Sequence, residues 1–415
     1  MYSQMGPRYW PGKLSSFAAY RGDRMKRQTI ADRTSKLLGA ALLVLIALAR
    51  PTAVAQSNTP PDCGAPAAMA DGWDTVAPAS AGFDPAILCG IGARFQAWAE
   101  ANVHSVLVIR HGKVVYERYF AGRDERLGQS LGTIAFDAST KHDLRSITKS
   151  VVSLLLGIAI GKGQIAGIDQ PVLPLLPEYA DLRSPEKDKI TLRDLLTMSQ
   201  GLVWNEDLPY TDPLNSEERM DIAPDPVRYT LSQPVDTPSG RVFNYSGGSA
   251  IVIGRLLSKA TGQTLDAFAR TELFEPLGIT DFEWRLIASG EPAAASGLRL
   301  RPRDTAKLGQ MLLDHGACHG KQVVPADWIA AATAPHIGAP LLWFYGYQFW
   351  LGRSWAQGRE VDWIEGRGLG GQRLYVVPAL DLVVLVHAGL YRSAMQSAVP
   401  LVILNRYVLP SVKEP

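Results

Sequence analysis

The sequence predicts an α/β fold of the α+β type: one antiparallel sheet built from both chain ends and flanked by helices, with an inserted, mostly helical lobe. Three observations lead there. Stretches of strand composition stand near the start, at 105–120, and again near the end, at 345–387. Between them the apolar residues recur at helical spacing or form short buried runs. The chain has 415 residues, 47% hydrophobic and 20% charged, which is ordinary globular composition with ample apolar material for such a core. Sheet-lobe sequence is expected at about 100–145 and 340–415, and the helical lobe at about 146–339.

Residues 1–55 read as an upstream extension followed by a signal peptide, ahead of a folded domain at 56–415. From Met25, the residues Lys26, Arg27, Arg33 and Lys36 make a positive start, and Leu37 to Ala49 form an apolar run. Ala53-Val54-Ala55 then supplies small residues for cleavage near Ala55. The run is short for a membrane span. A periplasmic or secreted protein is therefore expected, touching the membrane only for export. Of the three cysteines, Cys63 and Cys89 are the expected disulfide pair, leaving Cys318 over. No cysteine sits in a metal-binding spacing, and the chemistry read below requires no metal or organic cofactor. The formal net charge of +2 and the absence of a basic stripe point away from nucleic acid.

Asp84 to Glu100 has helical spacing. Ser105 to Phe120 reads as two strands around a His111-Gly112 turn. Ser146 to Ile160 is an apolar helix stopped by Gly161 and Gly163, and a helix apolar nearly all round is a buried one. Short helices are expected at Thr191–Met198, Ser249–Ala260 and Asp304–Leu313, with Asp304 capping the last. Proline and charge dominate Trp204–Gly240, expected as surface loops over the site. Tyr345–Leu351, Gln372–Val377 and Leu382–His387 are strands, and Ser393–Leu409 is a final helix.

Ser146 and Lys149 open the buried helix three residues apart, so their side chains share one face. A serine hydroxyl becomes nucleophilic when a base takes its proton, and a lysine amine serves if burial lowers its pKa. Tyr245, in Tyr245-Ser246-Gly247 ahead of a helix, can relay that proton to a leaving group. Gly366-Arg367-Gly368-Leu369-Gly370-Gly371-Gln372 leads into a strand, and Gly370 and Gly371 allow close backbone approach to a ligand. The N–H of Gln372 can then join that of Ser146 as an oxyanion hole. Trp204, Tyr210, Trp343, Tyr345 and Trp350 are candidates to line the cleft. A competing pattern, Gly128-Gln129-Ser130-Leu131-Gly132, matches the nucleophile elbow of α/β-hydrolases. It lacks the strand before and the helix after, so Ser130 reads as a loop serine, and His387 as a strand residue rather than a triad base.

Ser-x-x-Lys, a tyrosine motif about a hundred residues on, and a Gly-rich strand near the C-terminus together resemble the serine β-lactamase and penicillin-binding-protein superfamily. The texts LRSITKSVVSLLLG, ITLRDLLTMSQGL, NYSGGSAIVIGRLL, LFEPLGI, YGYQFW and GLGGQ are most similar to its class C-like branch of esterases, D-aminopeptidases and 6-aminohexanoate-dimer hydrolases. The resemblance implies acylation of Ser146, with Lys149 as base, Tyr245 as catalytic tyrosine and Gln372 N–H as second oxyanion donor. Two positions depart from the pattern. Gly247 stands where the tyrosine motif usually has Asn, and Leu369 where the third motif usually has Lys or His. The expected partner is thus a small ester or amide, with a true β-lactamase or D-amino-acid peptidase, and a non-catalytic binding module, as the other readings.

Overall fold

The computed structural model describes residues 63–126 and 128–413. The expected leader and its cleavage site lie outside these residues. Among the described residues, no helix is long and apolar enough to cross a membrane.

Nine strands form the main sheet, in the spatial order Asp74–Thr75, Lys113–Tyr119, Val103–Arg110, Leu382–Ala388, Gln372–Val377, Arg359–Gly368, Trp350–Ala356, Phe344–Tyr345 and Ile337–Gly338. All neighbours are antiparallel except the first pair. The two chain ends join where Val103–Arg110 pairs with Leu382–Ala388, as the strand composition predicts. These strands and Gln372–Val377 are buried at every residue, which is why they read as predominantly apolar runs rather than alternating ones. At the first hairpin His111 and Gly112 both have positive φ, the left-handed pair whose twist matches that of the flanking strands.

One face of the sheet packs on the terminal helices, through Leu88, Ile91, Phe95, Val399, Ile403 and Leu404. The other face packs on Ile147–Gly161, buried from Ile147 to Ala159, and on Pro302–Leu313. Pro302–Leu313 falls within the stretch expected as the helical lobe, yet it lies on the sheet. A Cβ added at its Gly309 would stand 2.6 Å from Val383. The helix Gly247–Thr261 ends on Gly262 at φ 69, a left-handed cap that suits glycine. Cys63 and Cys89 form the expected disulfide, and Cys318 is free.

Several expected elements differ. Asp304 lies inside its helix, where it pairs with Lys307, and the helix begins at Pro302 because proline suits a first turn. Trp204–Gly240 is not all loop: Ser216–Asp221 and Pro226–Ser232 are helices capped by Asn215 and Asp225. Tyr345–Leu351 splits into two strands around the turn at Gly346–Phe349, where Gln348 has φ 65. Asp84–Glu100 breaks into Pro85–Leu88, Gly90–Gln96 and a 3₁₀ turn. The last helix passes through a π-helical stretch, Ile403–Val408. Strand Arg359–Gly368 went unpredicted because its charged residues hide the period. Ser130 is in a strand, not a loop, on the hairpin Ala121–Arg126/Gln129–Ala135, and it is exposed.

Candidate active site

Ser146 is the residue before the first turn of the buried helix, so its position is set by the deepest element of the fold. Arg145, just before it, has φ 50, a strained conformation for a residue with a side chain. Contacts on both sides hold it: the guanidinium lies 4.7 Å from the centre of the Tyr391 ring and 3.5 Å from Asp143 Oδ2. Gly368 closes on the same stretch, since a Cβ there would meet the Leu144 carbonyl at 2.3 Å.

Lys149 Nζ donates to Ser146 Oγ at 3.1 Å and to the Ala295 carbonyl at 3.0 Å. The ammonium lies 5.0 Å from the centre of the Tyr245 ring. Burial raises the Tyr245 pKa, opposed by the Lys149 charge and by Ser146 beside it. The three residues singled out by the sequence thus meet. They do so on a cleft of about 360 Å³ whose walls include Ser146, Glu206, Tyr210, Tyr245, Trp350 and Leu369. Tyr210 and Trp350 line it as expected. Trp204 and Tyr345 are buried behind the wall, Tyr345 edge-on to Trp350 and Tyr245. Trp343 also stands back, with Arg367 3.9 Å from its ring centre and 4.1 Å from that of Trp350. Glu365 pairs with Arg367 at 2.6 Å and with Arg373 at 2.7 Å.

The structure places the residues of the Gly-rich turn at different depths. Gln372 is fully buried, and its side chain bonds to Ala388 and to the Leu369 carbonyl. Gly370 and Gly371 pack on Tyr391 and Ala388, both at positive φ. Gly368 and Leu369 form the cleft wall instead.

Two carboxylates went unread in the sequence. Glu217 Oε1 is 3.8 Å from Lys149 Nζ, with both side chains buried, and Glu217 Oε2 accepts from the Tyr210 hydroxyl at 2.6 Å. Glu206 Oε1 accepts from Trp204 Nε1 at 2.6 Å and from the Gly247 N–H. A Cβ at Gly247 would lie 3.0 Å from Glu206 Oε1 and 3.1 Å from Glu217 Cδ. A side chain at Gly247, where Asn is usual, would crowd the two glutamates. The signal was the acidic, Tyr- and Trp-bearing stretch from Trp204 to Glu218, whose charge reads as solvated surface.

These carboxylates correct one expectation. Burial opposes the Lys149 ammonium, but the Glu217, Tyr245 and Glu206 charges outweigh it, and the lysine pKa is raised rather than lowered. Burial and the neighbouring Glu217 push Glu206 the other way from an ordinary carboxyl, up to about 8. An acid raised on folding stabilises the fold fully below its ordinary value of 4.5, and that contribution is lost as pH rises through about 8. The melting temperature should therefore fall between roughly pH 5 and 8, and fall less in Glu206→Gln. Parallel melting curves for the two proteins across that range would refute the assignment.

A family model described as Beta-lactamase matches residues 95–395. The chain is 25% identical over 308 residues to the 6-aminohexanoate-dimer hydrolase of Paenarthrobacter ureafaciens, covering 70% of this chain and 73% of that one. It is 28% identical over 183 residues to Esterase EstB of Burkholderia gladioli, covering 42% and 45%. Its fold is similar to that of the octameric penicillin-binding protein homologue from Pyrococcus abyssi, with a TM-score of 0.58 at 19% identity over 76% of each chain.

Proposed function

We propose, on the premise that the chain belongs to the beta-lactamase family and is a serine hydrolase of ester or amide bonds, that it turns over small substrates through an acyl-enzyme on Ser146. The observation that carries this reading is the 3.1 Å contact between Lys149 Nζ and Ser146 Oγ at the foot of an open cleft. Lys149 and Tyr245 take the serine proton, and Ser146 attacks the carbonyl. The oxyanion is held by the Ser146 N–H and a backbone N–H of the turn 368–372, of which Leu369 is on the cleft wall. Tyr245 then protonates the leaving alcohol or amine, and water activated by the same pair releases the acyl group. Labelling with a fluorophosphonate probe tests the nucleophile. A screen of short-chain nitrophenyl esters and linear amides tests the bond class.

Export belongs to the same proposal. The charged and apolar pattern of 26–55 supports it, as does the Cys63–Cys89 bridge, since disulfides persist in oxidising compartments.

A β-lactam is the disfavoured substrate. Its carboxylate needs a cation where Leu369 stands, and Arg367 nearby is already paired with Glu365. Gly247 offers no side-chain donor. Losing a hydrogen bond to a charged group costs roughly 1.5–3 kcal/mol, about one to two powers of ten. We expect kcat/KM for a short-chain ester to exceed that for penicillin or cephalosporin substrates by at least about a hundredfold, and Leu369→Lys to narrow the gap. Equal rates on the two classes would overturn this substrate assignment.

A further inference from the structure

A second polar cluster lies away from the cleft. His104 comes from strand Val103–Arg110, Asp124 from the hairpin strand Ala121–Arg126 and His142 from the strand His142–Asp143; all three are buried. His104 Nδ1 is 2.8 Å from His142 Nε2, and these nitrogens lie 3.9 and 3.6 Å from Asp124 Oδ1. The circle through three points at those separations has a radius of about 2.0 Å, so an ion about half an ångström out of their plane would lie about 2.1 Å from each, within the range of zinc bonds to imidazole nitrogen and carboxylate oxygen. An octahedral facial set would bring its three ligands closer together than these on average, whereas four-coordinate zinc sets them about this far apart.

The surroundings suit an ion. His142 Nδ1 donates to the Asp143 carbonyl at 3.0 Å, which leaves the Nε2 lone pair facing the other two atoms. Tyr391 donates to Asp124 Oδ1 at 2.8 Å, orienting the carboxylate. Phe136 stacks on His104 at 4.1 Å and His387 on His142 at 4.6 Å, so the cluster is walled by rings. Gly122 and Gly389 let the backbone close over His104, since a Cβ at either would come within 2.7 Å of its ring. Among the described residues, Asp124 has no Lys or Arg as an ion-pair partner. A carboxylate buried without a cation is costly, and a divalent ion supplies the missing charge.

We propose that His104, Asp124 and His142 bind one zinc-type divalent ion in a structural role. The ion ties three separate strands together and fixes the segment that reaches Ser146 four residues after His142.

The test uses the untagged full chain, stripped with a chelator and titrated with Zn²⁺ alone. One zinc per chain should survive desalting, measured by elemental mass spectrometry, and the melting temperature should rise by at least about 5 °C at saturation. Asp124→Asn keeps the shape and the acceptor for Tyr391, and should weaken zinc binding by at least about a hundredfold. X-ray absorption at the zinc edge of the wild-type protein gives a readout that needs no variant: two imidazoles and a carboxylate are expected. Less than about a tenth of an equivalent with no melting shift would overturn the site and leave a hydrogen-bonded His–His–Asp network. Undiminished affinity in Asp124→Asn, or a shell without imidazole pairs, would also overturn it and place the ion elsewhere, for instance at the exposed His111–Asp381 pair.

Discussion

Ser146→Ala should lower turnover by at least about 10⁴-fold and abolish covalent labelling by a fluorophosphonate, while the fold and melting temperature stay near wild type. The change removes one hydroxyl from a residue whose backbone is fixed by other contacts: Arg145 over Tyr391, Gly368 against Leu144, and the helix that follows. What is lost is the atom that Lys149 and Tyr245 both address. Retained labelling at another serine would sink the assignment. Ser130 is the alternative to inspect, and its surroundings argue against it: it is exposed on a hairpin, where its hydroxyl accepts from the Gly132 N–H at 3.3 Å. His387, the base an elbow mechanism would need, is buried and bonded to Ser105 instead.

The nucleophile helix and the sheet were legible because burial writes itself into composition. Val103–Arg110, Leu382–Ala388 and Ile147–Ala159 have no solvent-facing side, so they are predominantly apolar on every face. Ser146 and Lys149 were legible because three residues along a helix is one face. The lost parts depend on tertiary placement. Arg359–Gly368 mixes charged and apolar residues, with Arg359-Glu360 and Trp363-Ile364 breaking the alternation, and shows its strand character only when paired on both edges. Glu206 and Glu217 are charges in a proline-rich stretch, which composition assigns to solvent. Only the fold turns them inward, by capping a short helix with Asn215 and anchoring Glu206 on Trp204. The Gly247 departure looked like a missing group in the sequence. In the structure the side-chain ends of Glu206 and Glu217 stand against that position. The His104–Asp124–His142 cluster was invisible for a related reason: its members are brought together by three strands, with no metal-like spacing along the chain.

Those glutamates sharpen what Lys149 does, and the lysine variants carry the second large effect. Lys149→Ala and Lys149→Arg should each lower kcat by at least about a hundredfold, the low end for acid–base residues. The two fail for different reasons. Alanine leaves Glu217 buried without its cation at 3.8 Å, so it should also destabilise the fold, by several kcal/mol on the scale of a broken buried pair. Arginine keeps the charge beside Glu217 but cannot give up a proton at working pH. A role confined to holding Glu217 would therefore be rescued by arginine, and a role as base would not. Because Glu217, Tyr245 and Glu206 raise the lysine pKa, the fraction of free amine grows with pH. The wild-type kcat/KM should climb on the alkaline side, and Glu206→Gln, by removing one of the charges that hold the proton, should move that climb to lower pH. The measurement is a pH–rate profile for each protein on one short-chain ester, with melting curves to confirm folding. Near-wild-type turnover in a folded Lys149→Arg would show that the lysine does not act as the base, and the proton of Ser146 would then have to leave through Tyr245 alone.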